Sequence, residues 1–162
     1  MENMEPTIKI LAETKLAGMH INMSFANNKT FELWRRFMTR KTSIPGIQGP
    51  ELYSVEVYTS LDYFHQFDPN RTYEKWAAVK VKDITQIPEG IDTMVIPEGF
   101  YAVFTYNGLA KDAWKTYQYI YGVWIPNSRY NLDLRPHVAV MGEKYKKDDP
   151  SSEEELWIPV RK

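Results

Sequence analysis

The chain has 162 residues and a formal charge of −1 at pH 7. That length suits one compact domain or two small modules sharing a core, and the near-neutral balance supplies no broad positive field for nucleic acid or anionic lipid. Cysteine is absent, which excludes disulfide scaffolds and cysteine-ligated zinc or iron sites.

The start, MENMEPTIKI, lacks the basic and apolar segments of a secretion signal, and no stretch is apolar for long enough to span a bilayer, so the expectation is a soluble, cytoplasmic protein. The unusual quantity is the aromatic content, 14% of residues with 5 Trp and 11 Tyr. Such rings serve packing and the holding of flat or cationic ligands equally well.

In chain order, KILAETKLAGMHINMSF (9–25) alternates as a strand or a hairpin, with Gly18 marking a bulge. NNKTFELWRRFMTRKTSI then places Phe31, Trp34, Phe37 and Met38 at helical spacing behind the capping residues Asn27 and Asn28, stopping near Pro45-Gly46. LYSVEVYTS and YEKWAAVKVKD read as two strands around a polar loop with Asp68-Pro69-Asn70. After Ile87-Pro88-Glu89-Gly90 the order returns: TMVIPEGFYAVFTYNG as strands, LAKDAWKTYQYIYGVW as a helix carrying Trp114, Tyr117 and Tyr121, then HVAVMGEKY and ELWIPVRK as strands. The acidic run Asp148 to Glu155 reads as a solvated turn.

The halves 7–83 and 91–161 therefore read as a repeat within one domain spanning 1–162. Gly18 corresponds to Gly99, Trp34 to Trp114, Val55-Glu56-Val57 to Val138-Ala139-Val140, and EKWAAV to ELWIPV. Each half is strand, helix, strand, strand. Two such units bury their open faces by pairing about a pseudo-twofold axis, which leaves a cleft at the junction. The expected class is α+β.

Two features point to chemistry. Trp76 and Trp157 lie on the polar-reading faces of their strands, so a helix or a ligand must cover them. Glu56, between two valines, must reach solvent, be paired or be protonated. The histidines His20, His65 and His137 are too far apart in sequence for metal-ligand spacing, and no nucleotide-binding, hydrolase-elbow or metalloprotease motif occurs. Neither a metal nor a cofactor is expected.

IPEGFYAVFTYNG, YIYGVWIPNSRYNLDLRPHVAVMGEKY and SSEEELWIPVRK resemble the GyrI-like small-molecule-binding domain, the effector-binding domain of bacterial multidrug-sensing transcription activators, over nearly the whole chain. The resemblance implies a duplicated strand-helix-strand-strand unit in an eight-stranded antiparallel sheet, with two main helices on one face and a central cleft for bulky, often cationic, aromatic compounds. The family's acid follows an R-P-x-F-E pattern; here the run is Arg135-Pro136-His137-Val138-Ala139, and Ala139 replaces it. Glu56, or Glu155 beside Trp157, is then the carboxylate expected to serve the cleft.

The expected function is a stand-alone binding protein that senses or sequesters hydrophobic or cationic aromatic compounds. The expected lining is Trp34, Met38, Glu56, Tyr58, Trp76, Trp114, Tyr117, Tyr121, Glu155 and Trp157, with Ala139 marking extra room. The alternative implied by the resemblance is a hydrolase of cyclopropane-containing genotoxins, lacking its glutamate. Direct DNA and membrane binding are not expected, and DNA gyrase is a weaker protein-partner expectation that the family suggests.

Overall fold

Alternating apolar residues produce strands and the LWRRF and TYQYI stretches produce helices, in the order read from the sequence. In a computed structural model, which describes residues 4–64, 68–146 and 149–162, the first half contributes β1 (Thr7–Leu11), β2 (Thr14–Met23), α1 (Thr30–Arg40), β3 (Leu52–Val57) and β4 (Tyr73–Lys80). The second contributes β5 (Asp92–Ile96), β6 (Gly99–Asn107), a helix α2 over 113–127, β7 (Asn131–Leu132), β8 (His137–Met141) and β9 (Glu153–Arg161). All strands pair antiparallel in the order β1-β6-β9-β8-β3-β4-β2-β5, with β7 added alongside β9. The expected eight strands thus form the main path, and the two-residue β7 is a ninth. No helix among the described residues is long and apolar enough to cross a membrane.

Residues 9–25 are two strands rather than a hairpin. β1 pairs with β6, whereas β2 pairs with β4 and β5, so each half lends its short first strand to the other's long one. Gly18 is no bulge: it stands in unbroken register with Ala78 on one side and Asp92 on the other. A Cβ there would collide with the Ala77 carbonyl oxygen and the Ala78 Cα, which are backbone atoms that cannot turn aside. Gly18→Ala is therefore expected to lower unfolding stability by about 1–3 kcal/mol through overpacking. Urea denaturation measures this, and an unchanged midpoint would mean that the strands separate freely.

α1 buries Leu33 and Phe37, with Trp34 beside them, over Ala17, Ala77 and Val79. Phe31 and Met38, read as part of the same stripe, stand 68% and 47% exposed; the i, i+4 pair Leu33/Phe37 faces the sheet instead. Of the expected caps, Asn28 Oδ1 accepts the Thr30 N–H at 2.9 Å. α2 packs Ala113 and Ile120 over Phe104, Leu156 and Ile158, and its turn Ile120–Trp124 is π-helical. Such a widened turn re-aims the side chains that follow it.

The two helices leave the central pair β3 and β8 between them. There Val55 lies opposite Val138, Ser54 opposite Ala139 and Glu56 opposite His137. Outward on each side the ladder repeats, with Val55 opposite Trp76 and Val138 opposite Trp157. Followed further, Gly18 faces Ala78 and Tyr101 faces Pro159; Tyr101, not Gly99, is therefore the counterpart of Gly18.

The face opposite the helices is buried as well. Leu16, Tyr53, Val55, Trp76, Tyr101, Val103, Val138 and Val140 form a cluster built from strand residues alone. With no helix in that cluster, the twist and curl of the sheet must close it.

Candidate functional site

Side chains alternate along a strand, so Glu56 on β3, Lys75 on β4 and His137 on β8 share the helix side. Lys75 Nζ donates to Glu56 Oε1 at 3.2 Å and the Tyr58 hydroxyl donates to Oε2 at 2.6 Å. The Glu56 and Lys75 side chains are only 14% and 11% exposed. Burial works against the charge of Glu56, but the Lys75 ammonium, the Tyr58 hydroxyl and His137 outweigh it and hold the carboxyl below the usual range. It is a carboxylate at neutral pH.

Lys75 lies opposite Glu56 in the β3–β4 ladder, and in the β8–β9 ladder the matching pair is Ala139 with Leu156. The central sheet thus carries one ion pair and one apolar pair at corresponding places. Both members differ together, so neither half holds an uncompensated charge there.

Around the ion pair stands a cage of rings. Tyr121 from α2 is hydrogen-bonded to His137 Nδ1 at 2.7 Å and runs parallel to Tyr117, with ring centroids 6.2 Å apart. Phe64, from the short 3-10 turn Leu61–Phe64, stacks on Tyr121 at 4.0 Å and lies edge-on to Tyr58 at 4.8 Å. Burial, reinforced by the Glu56 charge, pushes the Tyr58, Tyr117 and Tyr121 phenols far above their usual value, so all three remain neutral donors. Burial also holds the His137 imidazole down to about 4, with Glu56 opposing and Arg135 reinforcing. Glu154 is pushed above the usual carboxyl range by burial, Lys75 opposing and Glu56 reinforcing.

Outside this cage lies a cleft of about 410 Å³, lined among others by Leu61, Phe64, Tyr121, Tyr130, Leu132 and Arg161. Phe64 and Tyr121 are shared: they form the wall between cleft and cage. The arrangement offers stacking faces, phenol donors and a guanidinium to a ligand. Among the described residues no three His, Asp or Glu side chains gather as a metal site.

The expected lining separates into three groups. Glu56, Tyr58, Tyr117, Tyr121 and Ala139 come together on the helix side, where the Ala139 methyl is buried in the cluster under α2. Trp76, Glu155 and Trp157 lie on the opposite face, because strand alternation sets them against Val55 and Val138. Each indole N–H donates to the carboxylate two residues earlier, Trp76 to Glu74 at 2.5 Å and Trp157 to Glu155 at 3.2 Å. Strand residues cover them, not a helix.

Trp34 packs edge-on to Phe37 in the α1 core, whereas Met38 and Trp114 are exposed on the outer helix surfaces. Glu153–Glu155 belong to β9 rather than to a solvated turn, so the second carboxylate on the helix side is Glu154, one residue from the expected Glu155. Asp148 and His65 lie outside the described residues. His20 stacks on Trp76 with ring centroids 4.6 Å apart and bonds Asp92 at 2.8 Å.

Sequence reasoning missed Lys75, Phe64 and His137 as site residues. A signal existed for two of them: Lys75 stands one residue before Trp76 and His137 two before Ala139, which places both on the helix side. Phe64 gave none, since it enters from an irregular connection.

The profile of the GyrI-like small molecule binding domain matches residues 4–161. The transcriptional regulator BrlR from Pseudomonas aeruginosa is 28% identical over 165 residues, covering 99% of this chain and 57% of that regulator. The chain thus spans little more than half of that relative's length. The C-terminal domain of EcmrR superposes with a TM-score of 0.74 at 15% identity, covering 98% of both chains. SAV2435, in a structure bound to tetraphenylphosphonium, superposes with a TM-score of 0.66 at 17% identity, covering 98% of this chain and 94% of that one.

Proposed function

The chain belongs to the GyrI-like small molecule binding domain family, and from that premise we propose that it binds bulky hydrophobic aromatic compounds, cationic ones included, and so senses or sequesters them. The observation that carries this reading is the wall of Phe64 and Tyr121, stacked at 4.0 Å, with an open cleft on one side and a ring-lined cage on the other. A ligand ring stacks on the exposed side of that wall. A larger ligand takes the place of Phe64 against Tyr121 and reaches the cage. Apolar surface and ring stacking supply most of the affinity in such a site. The tetraphenylphosphonium bound by SAV2435 has the shape class that suits it.

A hydrolytic role would need a proton-transfer group at the place of Ala139. Glu56, ionised and paired with Lys75, is suited to charge compensation rather than to acid catalysis.

The test is a titration with Nile red, an uncharged planar probe, followed by its own emission. Saturable binding is expected, and Tyr121→Ala is expected to weaken it about tenfold, the order of one good ring contact. Emission that rises without saturating, or that is indifferent to Tyr121→Ala, overturns the reading.

A further inference from the structure

Resting on the binding role proposed above, we infer that Lys75 is a built-in competitor for cations, a specificity-determining residue that ranks uncharged and anionic aromatic ligands above cations of the same shape. The argument begins with the Glu56 carboxylate, whose two oxygens are both occupied from within the chain. Oε1 takes the Lys75 ammonium at 3.2 Å and Oε2 the Tyr58 hydroxyl at 2.6 Å. A cation drawn to this carboxylate must either displace an ammonium tethered to the neighbouring strand or sit beside it. In both cases two positive charges share a cage whose interior is largely shielded from water, where like charges repel far more strongly than at a surface.

The other groups facing the cage do not restore an attraction for cations. Glu154, whose carboxyl is pushed up by burial, lies in the field of the Lys75 ammonium, so the same ammonium competes with a foreign cation there too. Tyr58, Tyr117 and Tyr121 stay neutral; the Tyr58 hydroxyl is engaged by Glu56 and that of Tyr121 by His137, which leaves the Tyr117 O–H to donate to an anion. The corresponding place in the other half of the sheet is the uncharged pair Ala139 and Leu156. In the outer cleft, the charged side chain among the lining residues is Arg161. A cation keeps its attraction to ring faces but meets the Lys75 ammonium and the Arg161 guanidinium, whereas an uncharged ligand loses nothing and an anion meets that guanidinium and the Tyr117 hydroxyl.

Tetraphenylphosphonium and tetraphenylborate test this, being matched in shape and opposite in charge. Calorimetric titration of both gives a borate-to-phosphonium affinity ratio, and comparing that ratio between variants removes the intrinsic difference between the probes. Lys75→Met is expected to strengthen phosphonium binding at least tenfold and to weaken borate binding. Glu56→Gln is expected to move the ratio the other way. Because removing one member of the pair strains folding, circular dichroism accompanies each variant, and the uncharged double variant Glu56→Gln/Lys75→Met is compared with Glu56→Gln for the effect of Lys75 alone. A ratio that does not fall when Lys75 is removed in either background overturns the inference. If Nile red binds in that case, the binding role stands without it; if none of the three probes binds the wild type, the binding role itself falls.

Discussion

Glu56→Ala is expected to be the most damaging single substitution at the site, costing about 3–5 kcal/mol, the usual result of leaving a buried partner charge uncompensated. Lys75, only 11% exposed, would lose its ion-pair partner, and the Tyr58 hydroxyl would lose its acceptor. For a chain of this size each kcal/mol lowers Tm by about 2–4 °C, so calorimetry should show a drop of roughly 10 °C. The double variant Glu56→Leu/Lys75→Met replaces both charges with apolar groups of similar volume and is expected to return most of that loss. The apolar pair Ala139 and Leu156 already fills the corresponding place in the other half. If the single variant lost less than about 1 kcal/mol, the pair would be behaving as a solvated surface bridge.

The second large effect is a loss of stability on mild acidification, driven by His137. Its imidazole is held down to about 4 by burial, with Glu56 opposing and Arg135 reinforcing, against about 6.5 in an unfolded chain. As pH falls through 6.5 the unfolded state takes up a proton that the folded state refuses until about 4. Stability contributed by the neutral histidine is therefore complete above 6.5 and is lost between there and 4, by about 3 kcal/mol. Glu56, whose folded value is depressed, adds a further loss as pH falls below the ordinary carboxyl range. Glu154 is raised and offsets part of it, because its folded form gains the proton first. His137→Gln keeps a polar partner for Tyr121 while removing the titration. Urea midpoints at pH 7.5 and 4.5 should converge in that variant relative to wild type, and an equal pH slope in both would show that the imidazole charges freely in the folded protein.

Much of the architecture was legible locally. The alternation of LYSVEV and HVAVM identified the two central strands, and the 3.6-residue spacing of LWRRF and TYQYI identified the helices, because backbone geometry imposes those periods on any sequence that buries one side. Ala139 was recognised as the place where the family carries an acid, and Glu56 as its correspondent. The same periodicity already set Trp76 and Trp157 apart from Ala77 and Ile158. It did not tell which of the two faces the helices would cover, and the eleven residues expected in one cleft therefore came from both. Lys75 was overlooked for a similar reason. Glu56 and Lys75 are 19 residues apart and meet only through the β3–β4 register, which no short window contains.

From the sequence alone follow the strand and helix order and the duplication of the E-x-W stretch, since each depends on neighbours within a turn or a pleat. Tertiary structure alone decided that the short first strands of the halves are exchanged, that the indole face closes by the curl of the sheet, and that the Glu56 carboxylate on the helix side is already met by an ammonium. Those outcomes depend on pairings between distant segments, chosen by burial of the whole sheet rather than by any local preference.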